Sequence, residues 1–179
     1  MKELTQACVL LCISGPLISF SSTAAIAQAI FSIENTSSHL VVDVIGASTI
    51  DRQGVILFTP NNNKNQLFQM VIPDPNHWDQ FELVAEHSHK CLDVYGAEMN
   101  NGARIIQFEC HDRPNQLWTI NRVGNVKTLK AVHSGKCLDA GNPQFPAPPK
   151  RDAVLQQWTC ISRQDAPNSV NQVFTLGGN

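Results

Sequence analysis

FELVAEHSHKCLDVYGAEMNNGARIIQFECHDRPNQLW, Phe81–Trp118, contains segments that recur on both sides of it. Its opening, FELVAEHSHKCLD (Phe81–Asp93), aligns without gaps with FSIENTSSHLVVD (Phe31–Asp43) and KTLKAVHSGKCLD (Lys127–Asp139). Its Phe108-Glu109-Cys110 is matched by Phe58-Thr59-Pro60 and Trp158-Thr159-Cys160. Its close, Asn115-Gln116-Leu117-Trp118, is matched by Asn65-Gln66-Leu67-Phe68 and Asn171-Gln172-Val173-Phe174. The chain therefore holds three copies of one unit, at about 31–73, 81–125 and 127–179. From Asp to Asn there are 22 positions in the first two copies (43 to 65, 93 to 115) and 32 in the third (139 to 171). The extra ten lie in a proline-rich stretch around Asn142–Lys150 and between Trp158 and Asn171. The even spacing of Trp78, Trp118 and Trp158 is accidental, because the three occupy different places in the repeat.

Within a copy, apolar residues such as Val84, Leu92, Val94 and Ile105-Ile106 sit in short runs bounded by Gly, Asn, Ser or Pro. Such runs are strands. No long window after the N-terminus carries a helical period, so the fold class is all-β, with about four strands per copy and about twelve in all. One copy cannot bury its own apolar face. The three must share a core, and closing on one another also removes exposed strand edges.

Hydrophobic residues are 42% of the chain and charged residues 16%, enough for a packed core and unlike a disordered tail. The net charge of −2 and the lack of a Lys/Arg run argue against a nucleic-acid partner. No charge falls between Glu3 and Glu34, and the apolar stretch Ala7–Phe20 is followed by Ala27-Gln28-Ala29. This is the layout of a secretory signal peptide, 1–29, leaving a single domain at 30–179 that is secreted or extracytoplasmic. The apolar run is short, broken by Gly15-Pro16, and is not expected to leave a stable membrane span after cleavage. Cys91, Cys110, Cys137 and Cys160 then remain, an even number that favours two disulfides. Their count alone allows three pairings.

Cys91-Leu92-Asp93-Val94, Asn101-Gly102-Ala103, Gln107-Phe108-Glu109-Cys110 and Asn115-Gln116-Leu117-Trp118 together resemble the ricin B-type lectin repeat. Copy three resembles it through Cys137-Leu138-Asp139 and Gln156-Gln157-Trp158-Thr159-Cys160. Copy one departs by Val41 and Pro60, where the others have Cys. The resemblance spans 31 to about 176. It implies a β-trefoil, a six-stranded barrel capped by three hairpins. It also implies disulfides Cys91–Cys110 and Cys137–Cys160, each closing about twenty residues and worth roughly 3 kcal/mol. Copy one lacks this staple and should be the loosest.

Sugars present hydroxyls on their edges and C–H bonds on a face. A carboxylate accepts neighbouring hydroxyls in charge-assisted bonds, an amide donates and accepts, and an aromatic ring supplies a flat apolar platform. Asp, aromatic and Asn recur in that order three times, at the same offsets in the first two copies and at wider ones in the third. The resemblance gives Asp and Asn the sugar hydroxyls and the aromatic the ring face. The candidate carbohydrate-binding residues are thus Asp43, Phe58 and Asn65; Asp93, Phe108 and Asn115; and Asp139, Trp158 and Asn171. Copies two and three are expected to work, with copy one weak, and the carboxylates of Asp93 and Asp139 are expected to face solvent. An Asp between a strand and a Gly turn also has a plainer use, bonding its own turn. Gln66, Gln116 and Gln172 are expected to be structural buried amides. Phe68, Trp118 and Phe174 are expected in the core.

Other chemistry is thinly represented. His87-Ser88-His89, read as a strand, would place two imidazoles on one face near Cys91 and Cys110-His111, but the disulfides consume the thiols, the Ser-His pair sits in a predicted turn, and no metal or cofactor is expected. No hydrolase, zinc-protease, phosphate-binding or dinucleotide motif occurs. Asn35-Thr36-Ser37 is an N-glycosylation acceptor sequence. The expected function is a non-catalytic secreted lectin whose partners are glycans, galactose-like or another polysaccharide. The alternatives are a cell-binding or targeting subunit of a toxin or enzyme complex, acting through protein contacts with another chain, and a trefoil protease inhibitor. The inhibitor reading lacks a place for the repeated Asn-Gln-x-Trp.

Overall fold

The computed structural model describes residues 29–124, 126–141, 147–162 and 170–178. The expected signal peptide lies outside them except for Ala29, as do 142–146 of the proline-rich insertion and 163–169 of the second insertion. Twelve strands are described. They are β1 (Ile30–Asn35), β2 (Val41–Val44), β3 (Val55–Phe58), β4 (Phe68–Val71), β5 (Glu82–Ala85) and β6 (Cys91–Val94). They continue as β7 (Ile105–Phe108), β8 (Trp118–Val123), β9 (Val126–Ala131), β10 (Cys137–Ala140), β11 (Leu155–Trp158) and β12 (Phe174–Gly178).

Six strands form a barrel. β1 pairs antiparallel with β12 on one side and β4 on the other, β4 pairs with β5, and β8 pairs with β9. A bridge between Phe81 and Trp118 joins the β5 side to β8, and β9 packs beside β12, which closes the ring. The other six strands make three hairpins, β2–β3, β6–β7 and β10–β11. Bridges Gly54–Ile106, Ile56–Val154 and Arg104–Gln156 tie the hairpins to one another in a triangle. This is the β-trefoil that the resemblance to the ricin B-type repeat implies.

The core is threefold because the sequence is. Ile33, Leu83 and Leu129 occupy one layer, Val55, Ile105 and Leu155 another, and Phe68, Trp118 and Phe174 a third, all buried. Trp118 also donates its indole N–H to the Leu92 carbonyl at 3.2 Å, so its polar edge is satisfied inside. Removing a buried aromatic of this kind costs about 3–5 kcal/mol. The backbone repeats too. Arg52, Gly102 and Asp152 sit at the tips of the three hairpins in the left-handed region, with φ of 65°, 86° and 68°. A non-glycine residue is strained there, and the shared geometry shows that barrel and hairpin closure impose it.

Disulfides join Cys91 to Cys110 and Cys137 to Cys160, with sequence separations of 19 and 23. In copy one Val41 is buried in the place of the first Cys and Pro60 is exposed. Neighbouring copies are also fastened by amides. Gln107 donates from Nε2 to the carbonyls of Ser48 and Ile50 at 2.7 and 2.8 Å, and Gln157 does the same to Glu98 and Asn100 at 2.7 and 2.9 Å. Each clamp is reinforced by a histidine, His87 to Ser48 and His133 to Glu98. The corresponding residue of copy one is Leu57, which lies in the core and can make no such bond.

The structure also bears on the histidine pair and on the glycosylation sequence. His87 and Ser88 occupy the turn after β5 that the sequence predicts, and His87 is committed to the Ser48 carbonyl. Asn35 of the glycosylation sequence is fully buried, and its Nδ2 donates to the carbonyls of Val170 and Val173 at 2.8 and 3.3 Å. The nitrogen that would carry a glycan is therefore used by the fold.

Candidate functional site

In all three copies the Asp lies on the first strand of the hairpin, opposite Ile56, Ile106 or Gln156 on the second. The following Asn-Gln comes back from the chain after the hairpin to meet it. Gln66, Gln116 and Gln172 each donate from Nε2 to Oδ2 of Asp43, Asp93 and Asp139, at 2.8, 2.9 and 2.9 Å. The same nitrogen donates to the carbonyl of Thr59, Glu109 or Thr159. The Oε1 of each Gln accepts the backbone N–H of Asn61, His111 or Ile161, at 2.9 Å in every copy. These glutamines are buried and knit the carboxylate to the loop beside it, as the sequence suggests.

The carboxylates are not turn residues, and they do not face solvent as expected. Asp43, Asp93 and Asp139 are 5%, 3% and 2% exposed. The amides that grip Oδ2 draw each group inward, so at most one oxygen edge is presented outward. Burial pushes all three carboxyls above the usual range, Asp93 up to about 6, against the opposing pull of the hydrogen bonds.

The three sites diverge at their rims. In copy two, Asn115 donates to Asp93 Oδ2 at 2.8 Å, and His111 Nε2 lies 3.5 Å from the same oxygen. Asp93 Oδ1 has no hydrogen-bond partner among the described residues. The half-buried Phe108 stands beside it, with the His111 ring tilted at 6.0 Å. Together they line a depression of about 360 Å³ that also takes in Tyr95, Arg52 and Arg113.

In copy three, Asn171 donates to Asp139 Oδ2 at 2.6 Å, so the insertion before it has not separated the pair. Trp158 is 45% exposed, a ready platform. Yet Gln156 donates to Asp139 Oδ1 at 2.9 Å. Both oxygens are thereby satisfied within the protein. In copy one, Asn65 donates from Nδ2 to the Val44 carbonyl at 3.1 Å, as Asn115 does to Val94 at 3.4 Å, and it also hydrogen-bonds Asp43. The Arg151 guanidinium lies 4.7 Å from the centroid of Phe58 and covers the ring.

The hairpin tip of another copy borders each site. Arg151 and Asp152 reach copy one, Arg52 reaches copy two, and Gly102 lies against Gln156 and Trp158 of copy three. Sequence inspection missed Arg52, Arg113 and Tyr95. Tyr95, two residues after Asp93, had a local signal; Arg52 had none, because it belongs to a different repeat.

Among the described residues one cluster has the side-chain types of a metal site. Glu82, Cys91 and Cys110 cluster within 4.8 Å, but the two sulfurs are bonded to each other. Among the described residues no helix is long and apolar enough to cross a membrane.

A trefoil with a carboxylate, an amide and an aromatic side chain at the edge of each repeat defines a class of carbohydrate-binding scaffold. The chain matches the family model for the ricin-type beta-trefoil lectin domain-like proteins at residues 20–108 and 73–158, and it belongs to that family. It is 40% identical over 55 residues to a seed lectin of Trichosanthes anguina, covering 31% of this chain and 10% of that protein. It is 30% identical over 109 residues to abrin-a of Abrus precatorius, covering 55% of this chain and 20% of that protein. The matched segments thus span a fifth or less of these relatives. Among solved structures, the designed threefold-symmetric protein ThreeFoil superposes with a TM-score of 0.71 at 28% identity, over 84% of this chain and 99% of that one. A Polyporus squamosus lectin bound to a sialylated trisaccharide shares the fold, with a TM-score of 0.67 at 16% identity, over 83% of this chain and 48% of that one.

Proposed function

We propose that this protein is an exported, non-catalytic lectin that binds glycans chiefly through copy two. The observation that carries the reading is Asp93. Its Oδ2 is fixed by Asn115 and Gln116, while Oδ1 is left uncommitted in a depression beside Phe108. A pre-oriented carboxylate edge next to an aromatic face suits a hydroxyl pair above a C–H patch, and holding it rigidly lowers the ordering cost of binding. Copy three acts as a secondary site in which Trp158 supplies the platform and a sugar hydroxyl must displace Gln156 from Asp139. Copy one is closed by Arg151. A shallow site of this kind near ~1 mM corresponds to about −4.1 kcal/mol. A second site on the same chain raises retention on a multivalent surface by roughly 10²-fold or more.

The N-terminal pattern supports export by a cleaved signal, with the mature domain starting at Ile30. The likeness to parts of longer proteins such as abrin-a supports a second reading, in which the lectin targets a partner chain. A glycan array with wild type and Asp93→Asn tests the first reading. Wild type should bind a defined glycan set and the variant should lose most of that signal. Binding unchanged in the variant would remove Asp93 from the site. Co-purification of a second chain together with a silent array would favour the targeting role through protein contacts.

A further inference from the structure

The depression in copy two contains cations that its own repeat pattern does not call for. Arg52 enters from the tip of the β2–β3 hairpin and Arg113 from the loop between β7 and β8, and both border the space that holds Asp93 and Phe108. Neither arginine is ion-paired among the described residues. The acid next to Arg52 is already taken, since Asp51 is 2.6 Å from Lys90 Nζ and accepts the Glu109 backbone N–H. Asp93 Oδ2 is saturated by amides.

Copy one arranges the same place differently, because its arriving cation, Arg151, lies 3.4 Å from Asp152 and is stacked on Phe58. The loop that carries Arg113 in copy two reads Asn61-Asn62-Asn63 in copy one. The hairpin tip that brings Arg52 to copy two brings Asp152 to copy one, where it acts on Asp43 as a like charge. One trefoil position therefore carries opposite charge at two of its sites. On a chain with net charge −2, two unpaired guanidinium groups beside one sugar-sized depression are a local exception.

We propose that the copy-two site selects glycans bearing an anionic substituent, with ring hydroxyls held by Asp93 and Asn115, the apolar face on Phe108, and a carboxylate or sulfate between Arg52 and Arg113. This rests on the reading of copy two as a glycan site. The planar guanidinium donates two parallel N–H bonds to a carboxylate or sulfate, a geometry that a neutral hydroxyl does not match. Asp93 offers Oδ1 as an acceptor to hydroxyls while the guanidinium groups offer donors to the anion, so the two kinds of group take different parts of the ligand.

The test compares the full chain, as exported, on a panel of one parent glycan in neutral, sialylated, uronic-acid and sulfated forms. At low ionic strength at least one anionic form should bind about tenfold more tightly than the neutral parent, the size of one charge-assisted hydrogen bond. The ratio should fall as salt rises. Arg52→Gln with Arg113→Gln should bring the ratio close to one, while Arg122→Gln, on the exposed part of β8, should leave it as in wild type. Whether the sialylated and uronic forms or the sulfated form shows the preference identifies the anion. A wild-type ratio near one at low salt overturns the proposal and leaves the lectin reading standing. A preference that persists in the double variant also overturns it. Failure to bind any member of the panel overturns both.

Discussion

The Arg151 guanidinium stacks on Phe58 at 4.7 Å from the ring centroid, so a residue of copy three closes the aromatic platform of copy one. An exposed cation–π contact is worth about 0.5–1 kcal/mol, comparable to what a sugar face would gain from the same ring. Arg151→Ala should therefore change stability by no more than about 1 kcal/mol and open copy one. In an Asp93→Asn background it should restore part of the lost retention on a glycan surface. Ring-proton shifts of Phe58 on titration with sugar check this directly, and unchanged shifts would show that the cover is not what silences copy one.

Asp93 and Asp139 should respond differently to the same substitution. In Asp93→Asn the new Oδ1 can take over the acceptor role towards Asn115 and Gln116, leaving the new amide on the open side. The variant should fold with a stability change under about 1 kcal/mol and lose binding at copy two. Asp139 accepts on both oxygens, from Gln156, Asn171 and Gln172. Asn there must face one donor with another, and the cost should be about 1–3 kcal/mol. Chemical denaturation of the two variants measures the contrast; equal losses would mean that the two carboxylates are held alike.

Asp93 gives a pH dependence of known sign. Its carboxyl is raised from 3.8 to about 6 by burial, against the bonds from Gln116 and Asn115 and the nearby His111. The folded state holds this proton more tightly than the unfolded chain. The group therefore adds stability as pH falls from about 6 towards 3.8, and that contribution is lost as pH rises through the same window. Binding should move the opposite way, because the protonated acid is a weaker acceptor for hydroxyls. Glycan affinity at copy two should thus drop between pH 7 and pH 5 while the wild type gains stability relative to Asp93→Asn. A flat stability difference across that range would contradict the assignment.

The staples are unevenly distributed, and protection should follow them. Copies two and three have disulfides, and Gln107 and Gln157 clamp them to the copy before each. Among the described residues copy one has no disulfide and, with Leu57 at that position, no counterpart of these glutamine clamps, although Asn35 ties it to the Val170 and Val173 carbonyls of copy three. Amide exchange should be fastest in 31–68, and opening Cys91–Cys110 by Cys→Ser replacement should cost roughly 3 kcal/mol. Uniform protection across the copies would show that the shared core dominates over the local links.

What the sequence made legible follows from what repeats. Three in-phase units with strand-length apolar runs admit few folds, because no unit can bury its own apolar face. Gln66, Gln116 and Gln172 were readable as buried amides, and Phe68, Trp118 and Phe174 as core, since each recurs at the same place in the Asn-Gln-x-aromatic motif. The column Ile56, Ile106 and Gln156 also held a local signal, because hairpin register sets that residue opposite the Asp. The expectation that Asp93 and Asp139 face solvent failed for a tertiary reason: the Asn-Gln segment folds back and draws the carboxylate inward through Oδ2.

The sequence by itself determined an all-β chain of about twelve strands, its shared core and the set of carboxylate, amide and aromatic residues in each copy, while the trefoil was implied by the resemblance of those repeats to a known family. All of these depend on patterns within a repeat or on the period between repeats. Only the tertiary structure decided how the copies differ in use. Arg151 meets Phe58, Asp152 influences Asp43 and Arg52 borders Asp93 because barrel closure sets each hairpin tip against a neighbouring copy. Those encounters join residues far apart in the chain, and no local propensity or spacing encodes them. They come from long-range strand pairing and the packing of three hairpins on one shared core.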